Sequence, residues 1–311
     1  YSLSKFNNSN IFENTFITED TVINSKSVVN QEHDSESYNF STEIRLKKDF
    51  KKKDRLLKYA IKYVDSENDE NQKNITNNKY YNNVIKGDTV DQNQDFLSSN
   101  RRYQSQFLFR EPINKKWGLD IEHLFKINIG EQNRSTMNKD LTNNEYTLLD
   151  TLFSNSFENF KLTNRAGLYY VYRHKKDRLK IGGYVRNVQL RSFDEFKNPL
   201  TDSLNFWDVL PQINYRHKFN SSQRLRFSYR TNSRQPSLNQ LQPVQNNSNP
   251  NKIIEGNPDL IPDYSHKLSA TYNHWKGLTG SYIWTSLNYR RVVNPFSNQM
   301  SFDDFGRTIS K

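Results

Sequence analysis

Charged side chains recur at intervals of two and four along segments whose other positions are largely apolar. Glu43 and Arg45, then Asp120, Glu122 and Lys126, then Arg224 and Arg226 all follow this spacing. A spacing of two places them on one face of a β-strand. Such a row of mixed charge can line a hydrated route for a polar solute, or pair with itself across a wet interior. Bond-making chemistry finds no support. The six histidines (His33, His123, His174, His217, His266 and His274) lie far apart, without an i, i+4 or cysteine partner, and the chain has no cysteine. No Gly-rich phosphate loop or GxSxG elbow occurs. The residues ask for no metal, no cofactor and no catalytic group, so the chain is read as a non-enzyme.

The elements that must position these charges are strands. Tyr38–Lys47 alternates Tyr38, Phe40, Thr42, Ile44 and Leu46 with Asn39, Ser41, Glu43 and Arg45, and after a polar turn Leu57, Tyr59, Ile61 and Tyr63 resume the pattern. A second hairpin runs through Tyr103, Phe107 and Phe109, turns at Glu111–Lys116, and returns through Trp117, Leu119, Ile121, Phe125, Ile127 and Ile129. A third joins Leu162–Tyr172 to Leu179–Leu190, and a fourth joins Val209–Lys218 to Arg224–Thr231. The fifth joins Leu268–His274 to Leu278–Tyr289 through Trp275–Gly277. Residues 66–100, 131–160, 192–206 and 232–262 read as long polar connections, and 1–34 as a strand end and a long loop. Strands of about ten residues, short turns on one side and long loops on the other predict an all-β, antiparallel up-and-down transmembrane barrel. Closure satisfies every backbone group, so one face can meet lipid while the other stays wet.

Composition agrees with that reading. Only 33% of the 311 residues are hydrophobic, but 18 Tyr, 20 Phe and 4 Trp are far more than a solvated tail carries. A barrel needs apolar residues only at alternate strand positions. The net charge of +11 would suit a nucleic-acid partner, but the basic residues are dispersed. A soluble basic β protein would also need a layer to cover the Trp117–Ile129 row. No nucleic-acid partner is expected. No apolar run reaches the length of a membrane helix.

The longest loop and its flanking strands carry a resemblance. YRTNSRQPS (Tyr229–Ser237), LQP (Leu241–Pro243), NSNP (Asn247–Pro250) and GNPDLIPDYSH (Gly256–His266) follow one another between two alternating segments. In order and spacing they resemble the TonB-dependent-receptor-like outer-membrane β-barrels of Bacteroidetes. The positions carrying it are Arg230, Arg234, Pro236, Leu241, Pro243, Gly256, Asn257, Pro258, Leu260 and Pro262. Physically, prolines end strand pairing, Gly256–Asn257 favours a turn, and Arg230 and Arg234 can pin the loop to carboxylates or carbonyls. Loop architecture is preferred here to direct ligand contact.

The resemblance implies a barrel of about 22 strands, closed by an N-terminal plug and energised from the periplasm. The chain has room for about eleven or twelve strands, and shows no plug-like segment, coupling box or terminal aromatic. All 311 residues are therefore expected to form part of a single barrel domain, truncated at both ends. The implied function is nutrient capture (a metal chelate, peptide or glycan) by outer loops, followed by import. The implied partners are outer-membrane lipid, that ligand, a periplasmic energy-coupling protein for the parent chain, and a surface lipoprotein. A non-transporting barrel for adhesion or surface assembly is the alternative. Tyr80, Tyr81, Phe193 and Phe196, in the long loops, could stack on a ligand or pack the loops down.

Overall fold

The computed structural model describes residues 2–17, 23–81, 86–151, 153–194, 203–241, 246–249, 252–254, 256–257, 259–277, 279–302 and 308–310. Its first five strands are β1 (Ser2–Ile17), β2 (Ile23–Asp49), β3 (Leu56–Tyr80), β4 (Lys86–Pro112) and β5 (Trp117–Lys139). A short β6 (Tyr146–Leu149) precedes β7 (Asn155–His174), β8 (Asp177–Asp194), β9 (Leu204–Lys218) and β10 (Gln223–Arg234). The motif loop holds a one-turn helix α1 (Leu238–Leu241), β11 (Asn246–Asn249) and β12 (Lys252–Ile254). The chain continues through β13 (Asp263–Lys276), β14 (Ser281–Val293), β15 (Met300–Phe302) and β16 (Thr308–Ser310).

One antiparallel sheet takes the order β1-β2-β3-β4-β5-β7-β8-β9-β10-β13-β14, with β6 added on β5. Sequential strands are neighbours throughout, the up-and-down order that short hairpin turns impose. The turns have local causes. Asn114 Oδ1 accepts the N–H groups of Lys116 and Trp117 at 2.9 Å. Asn220 Oδ1 does the same for Ser222 and Gln223 at 2.9 and 2.8 Å. β1 and β14 form the open edges of the described sheet, and β11-β12-β16-β15 form a separate small sheet.

Strands β2 to β5 are far longer than the ten residues expected, whereas β10, β13 and β14, with 12, 14 and 13 residues, stay close to it. β2 and β4 have 27 residues each and β3 has 25. The expected loop over 66–100 is instead a continuous ladder from Ser66↔Asn100 to Tyr80↔Lys86. The described residues of 1–34 form β1 and the start of β2, and 131–160 contain the end of β5, all of β6 and the start of β7. Polar residues occupy both faces of these extensions, so no apolar period marks them. Backbone pairing and amide side chains hold them instead. Gln31 donates to Asn74 at 2.9 Å and Gln92 to Asn138 at 2.8 Å, along the cross-strand row Gln31–Asn74–Gln92–Asn138.

One face of the sheet is concave. Arg110 of β4, Lys180 of β8, Arg216 of β9 and Thr271 of β13 line the same groove. In a flat sheet β4 and β13 would stand about 29 Å apart. Curvature needs close approach at Gly182 and Gly183, where an added Cβ would lie 2.1 Å from the Leu168 carbonyl oxygen and 2.7 Å from that of Leu210.

Candidate functional site

The seven charged positions singled out by spacing all fall on the concave face by register. Glu43 opposes Lys62, and Arg45 opposes Ala60, whose own partner Gln106 lies in the Arg110 row. Four of them are paired. Glu43 accepts two bonds from Arg45 at 2.7 Å. Asp120, fully buried, takes a two-pronged grip from Arg110 at 2.6 and 2.8 Å, with Lys180 at 3.6 Å. Glu122 accepts from Lys180 at 2.7 Å. Lys126, Arg224 and Arg226 have no carboxylate within salt-bridge distance among the described residues, and Arg224 Nε is buried without a hydrogen-bond partner.

Above these charges the motif loop bends onto the concave face. Leu241 packs with Val188 and Leu190, and Leu204, Phe206 and Leu260 close around them. Helix α1 starts with a capping box in which Gln240 Oε1 accepts the backbone N–H of Ser237 at 3.0 Å. Pro236 is fully buried and ends the β10 ladder. Asn257 donates its N–H to the Gln240 carbonyl at 2.6 Å and closes an Asx turn with Asp259. Gly256 is buried, Leu260 half-buried, and Pro262 immediately precedes β13. Pro243 and Pro258 lie outside the described residues.

Arg234 grips buried Asp263, with Nε at 3.0 Å and Nη2 at 2.8 Å, and its N–H donates to the same carboxylate at 3.0 Å. The guanidinium also stacks over Phe296, 4.8 Å from the ring centroid. Among the described residues the Arg230 guanidinium makes a 3.3 Å hydrogen bond to Asn214, and the side chain stays exposed. Spacing did not reveal a further tether, which joins β8, β9, β10 and the loop. Arg186 donates to Asp208 at 3.0 and 2.6 Å and to the Ser233 carbonyl at 2.7 Å, while Gln235 donates to Asp208 at 3.0 Å. Arg186 and Asp208 sit in alternating segments and become partners only through the β8–β9 register.

Higher still, the long strands carry a second polar cluster. Tyr146 of β6 donates to Asp91 at 2.6 Å, and Lys139 lies 3.3 Å from the same carboxylate. Burial, reinforced by the neighbouring carboxylate, pushes the Tyr146 phenol well above its ordinary value. The histidines are dispersed: His123 bonds Asn164, His217 bonds Asp177, His266 bonds Tyr229 and His274 bonds Gln223. Among the described residues no three metal-binding side chains gather. Of the loop aromatics, Tyr81 and Phe193 are exposed, the Tyr80 backbone ends β3, and Phe196 lies outside the described residues.

The convex face has the character of a lipid-facing surface. Ile44, Ile61, Ile121, Phe125, Leu168, Ile181 and Val185 stand exposed in a band. An aromatic row borders it above, with Phe40, Tyr63 and Tyr103 spaced 6.3 and 5.1 Å apart. Below, Phe50–Phe109, Trp117–Tyr172 and Phe219–Tyr272 meet at 6.4, 4.8 and 6.3 Å. Two aromatic girdles around an apolar band mark the two interfaces of a membrane barrel. No helix among the described residues is long and apolar enough to cross a membrane, which says nothing of strands.

A family described as the outer membrane protein beta-barrel family matches residues 48–310. The chain belongs to that family. This barrel is thus an outer-membrane protein, and the soluble alternative is set aside. Among solved structures it is similar to the copper transporter OprC, at 11% identity and a TM-score of 0.50, covering 99% of this chain and 55% of that one. The FpvAI–pyocin S2 complex matches at 9% identity and 0.48, covering 99% and 52%. The FrpB iron transporter of Neisseria meningitidis matches at 8% and 0.45, covering 99% and 56%. At these identities the OprC likeness speaks to fold alone, and the two lower scores carry no argument. The barrel spans about half the length of these solved structures. No curated protein matches in sequence.

Proposed function

We propose that this chain is wall of a TonB-dependent outer-membrane receptor that captures a nutrient at its extracellular end and passes it inward. The observation that carries the reading is a charged, groove-bearing concave face lying beneath a motif loop tethered to it through Arg186, Asp208 and Asp263. A purely structural wall gains nothing from unpaired cations facing a cavity, whereas a route for a polar solute uses them. The motif loop is read as the Bacteroidetes form of such receptors, and its ten positions as architecture that shapes the mouth. In this reading the whole chain is part of one barrel domain. A periplasmic coupling protein energises the parent protein, a surface lipoprotein assists capture, and no residue performs catalysis.

Uptake by a deletion strain of the parent gene tests this, with copper, iron chelates, peptides and glycans each supplied as the limiting nutrient. The expected result is a growth or uptake defect for one class, restored by the wild-type gene. Normal uptake of every class overturns the transport reading. If such a strain also loses surface attachment, the non-transporting alternative takes its place. The polar strand extensions beyond the apolar band favour that second reading, because they present a large outer surface whatever the lumen does.

A further inference from the structure

The lower concave face opposes four arginines on four adjacent strands. Arg173 of β7 pairs in register with Arg178 of β8, Arg178 with Arg216 of β9, and Arg216 with Arg226 of β10. Neighbouring strands stand about 4.8 Å apart, so the row spans about 15 Å. Like charges placed directly opposite each other destabilise a sheet. None of the four guanidinium groups has a carboxylate at salt-bridge distance among the described residues. The groove they line has a volume of about 430 Å³, within the range of small-molecule sites. Asp120 is the one acid among its described lining residues, and Arg110 and Lys180 already hold it.

We infer that this arginine row is a binding site for a small multivalent oxyanion, one that presents two or more carboxylate or phosphate groups about 5 Å apart. Planar guanidinium groups at strand spacing offer paired N–H donors to successive anionic groups, and a bound anion removes the repulsion that the empty row carries. The groove's size favours a small ligand over the acidic face of a protein domain. The inference rests on reading the concave face as the lumen, and it deepens the transport proposal by naming a substrate class. Binding is nevertheless measured apart from uptake.

The test uses the full-length protein in detergent micelles, titrated calorimetrically with citrate, with tripolyphosphate, and with acetate and glycerol as controls. Binding of citrate or tripolyphosphate, with acetate and glycerol silent, supports the site, and the stronger of the two assigns carboxylate or phosphate chemistry. Arg178→Gln and Arg216→Gln should each weaken that binding by about ten- to a hundredfold, the effect of losing one charge-assisted hydrogen bond. Lys276→Gln, outside the groove, should leave it unchanged. Without anion, Arg216→Gln should raise the temperature at which the barrel loses its heat-modifiable form, since it relieves like-charge opposition. Unchanged affinity in both arginine variants overturns the inference, as does a lowered unfolding temperature. Cross-linking of the row to an acidic segment of the parent protein, with no anion binding, overturns it in favour of a protein surface. Loss of uptake with anion binding intact bears on the transport proposal and leaves this site standing.

Discussion

Glu111 sits at the lower rim of β4, beyond the apolar band, where Arg55 and Lys52 of the β2–β3 turn reach it. Their hydrogen bonds and charges hold its carboxyl at about 2, down from the ordinary 4.5. A depressed carboxylate adds stability that is complete above the ordinary value and fades as pH falls through the folded one. The wild-type barrel should therefore outlast Glu111→Gln in heat-modifiability at pH 7, and the gap should close between pH 4.5 and 2. A gap that persists at pH 2 would contradict this. Asp263 acts on the motif loop. Replacing it with Ala strips the Arg234 N–H and guanidinium of a buried acceptor, at a cost of about 1–3 kcal/mol. Limited proteolysis should then cut within 235–262 while the barrel remains heat-modifiable. Arg234 was readable as a pin from the motif alone, and its partner closes that same motif. Arg186 and Asp208 were not, because nothing in a linear alternation says which charge on one strand will oppose which on the next.

Alternation revealed the lower, membrane-facing part of each strand and missed the upper part. Ile44, Ile61, Phe107 and Ile121 declare themselves because one face is apolar, and the hairpin turns follow from Asn, Asp and Gly around them. In 66–80 and 86–100 both faces are polar, so a strand and a solvated loop look alike in sequence. Only pairing separates them, and pairing is non-local. The amide row makes the distinction testable. Asn74 is fully buried and accepts from both Gln31 and Gln72 at 2.9 and 2.8 Å. Asn74→Ala leaves both donors without that acceptor and should cost about 1–3 kcal/mol. Hydrogen exchange should rise across the upper halves of β2, β3 and β4, while amides between the two aromatic rows stay protected. Uniform exchange in the wild type over 66–100 would mean that the ladder does not persist there.

At the scale of the molecule, the convex and concave faces of one sheet face different solvents, so identical substitutions should have opposite outcomes on the two. Ile181→Lys places a charge in the apolar band and should cost about 2–4 kcal/mol near the midplane. Gln106→Lys adds the same charge to the wet concave face, away from the arginine row, and should leave folding yield nearly unchanged. Urea titration in vesicles compares them, and equal losses would mean that both faces meet one medium. The open edges β1 and β14 must likewise find partners in the bilayer, where unpaired backbone is not tolerated. The length of the strands has a further, mechanical meaning. β3 is 25 residues and about 80 Å long, against a hydrocarbon layer of about 30 Å, and every residue is registered against β4. Its outer end is therefore a stiff mast rather than a tether. A cell surface or particle tugging on that tip along the strand would load twenty-five residue pairs in shear together, and the force would be carried down to the girdle of rings at the membrane.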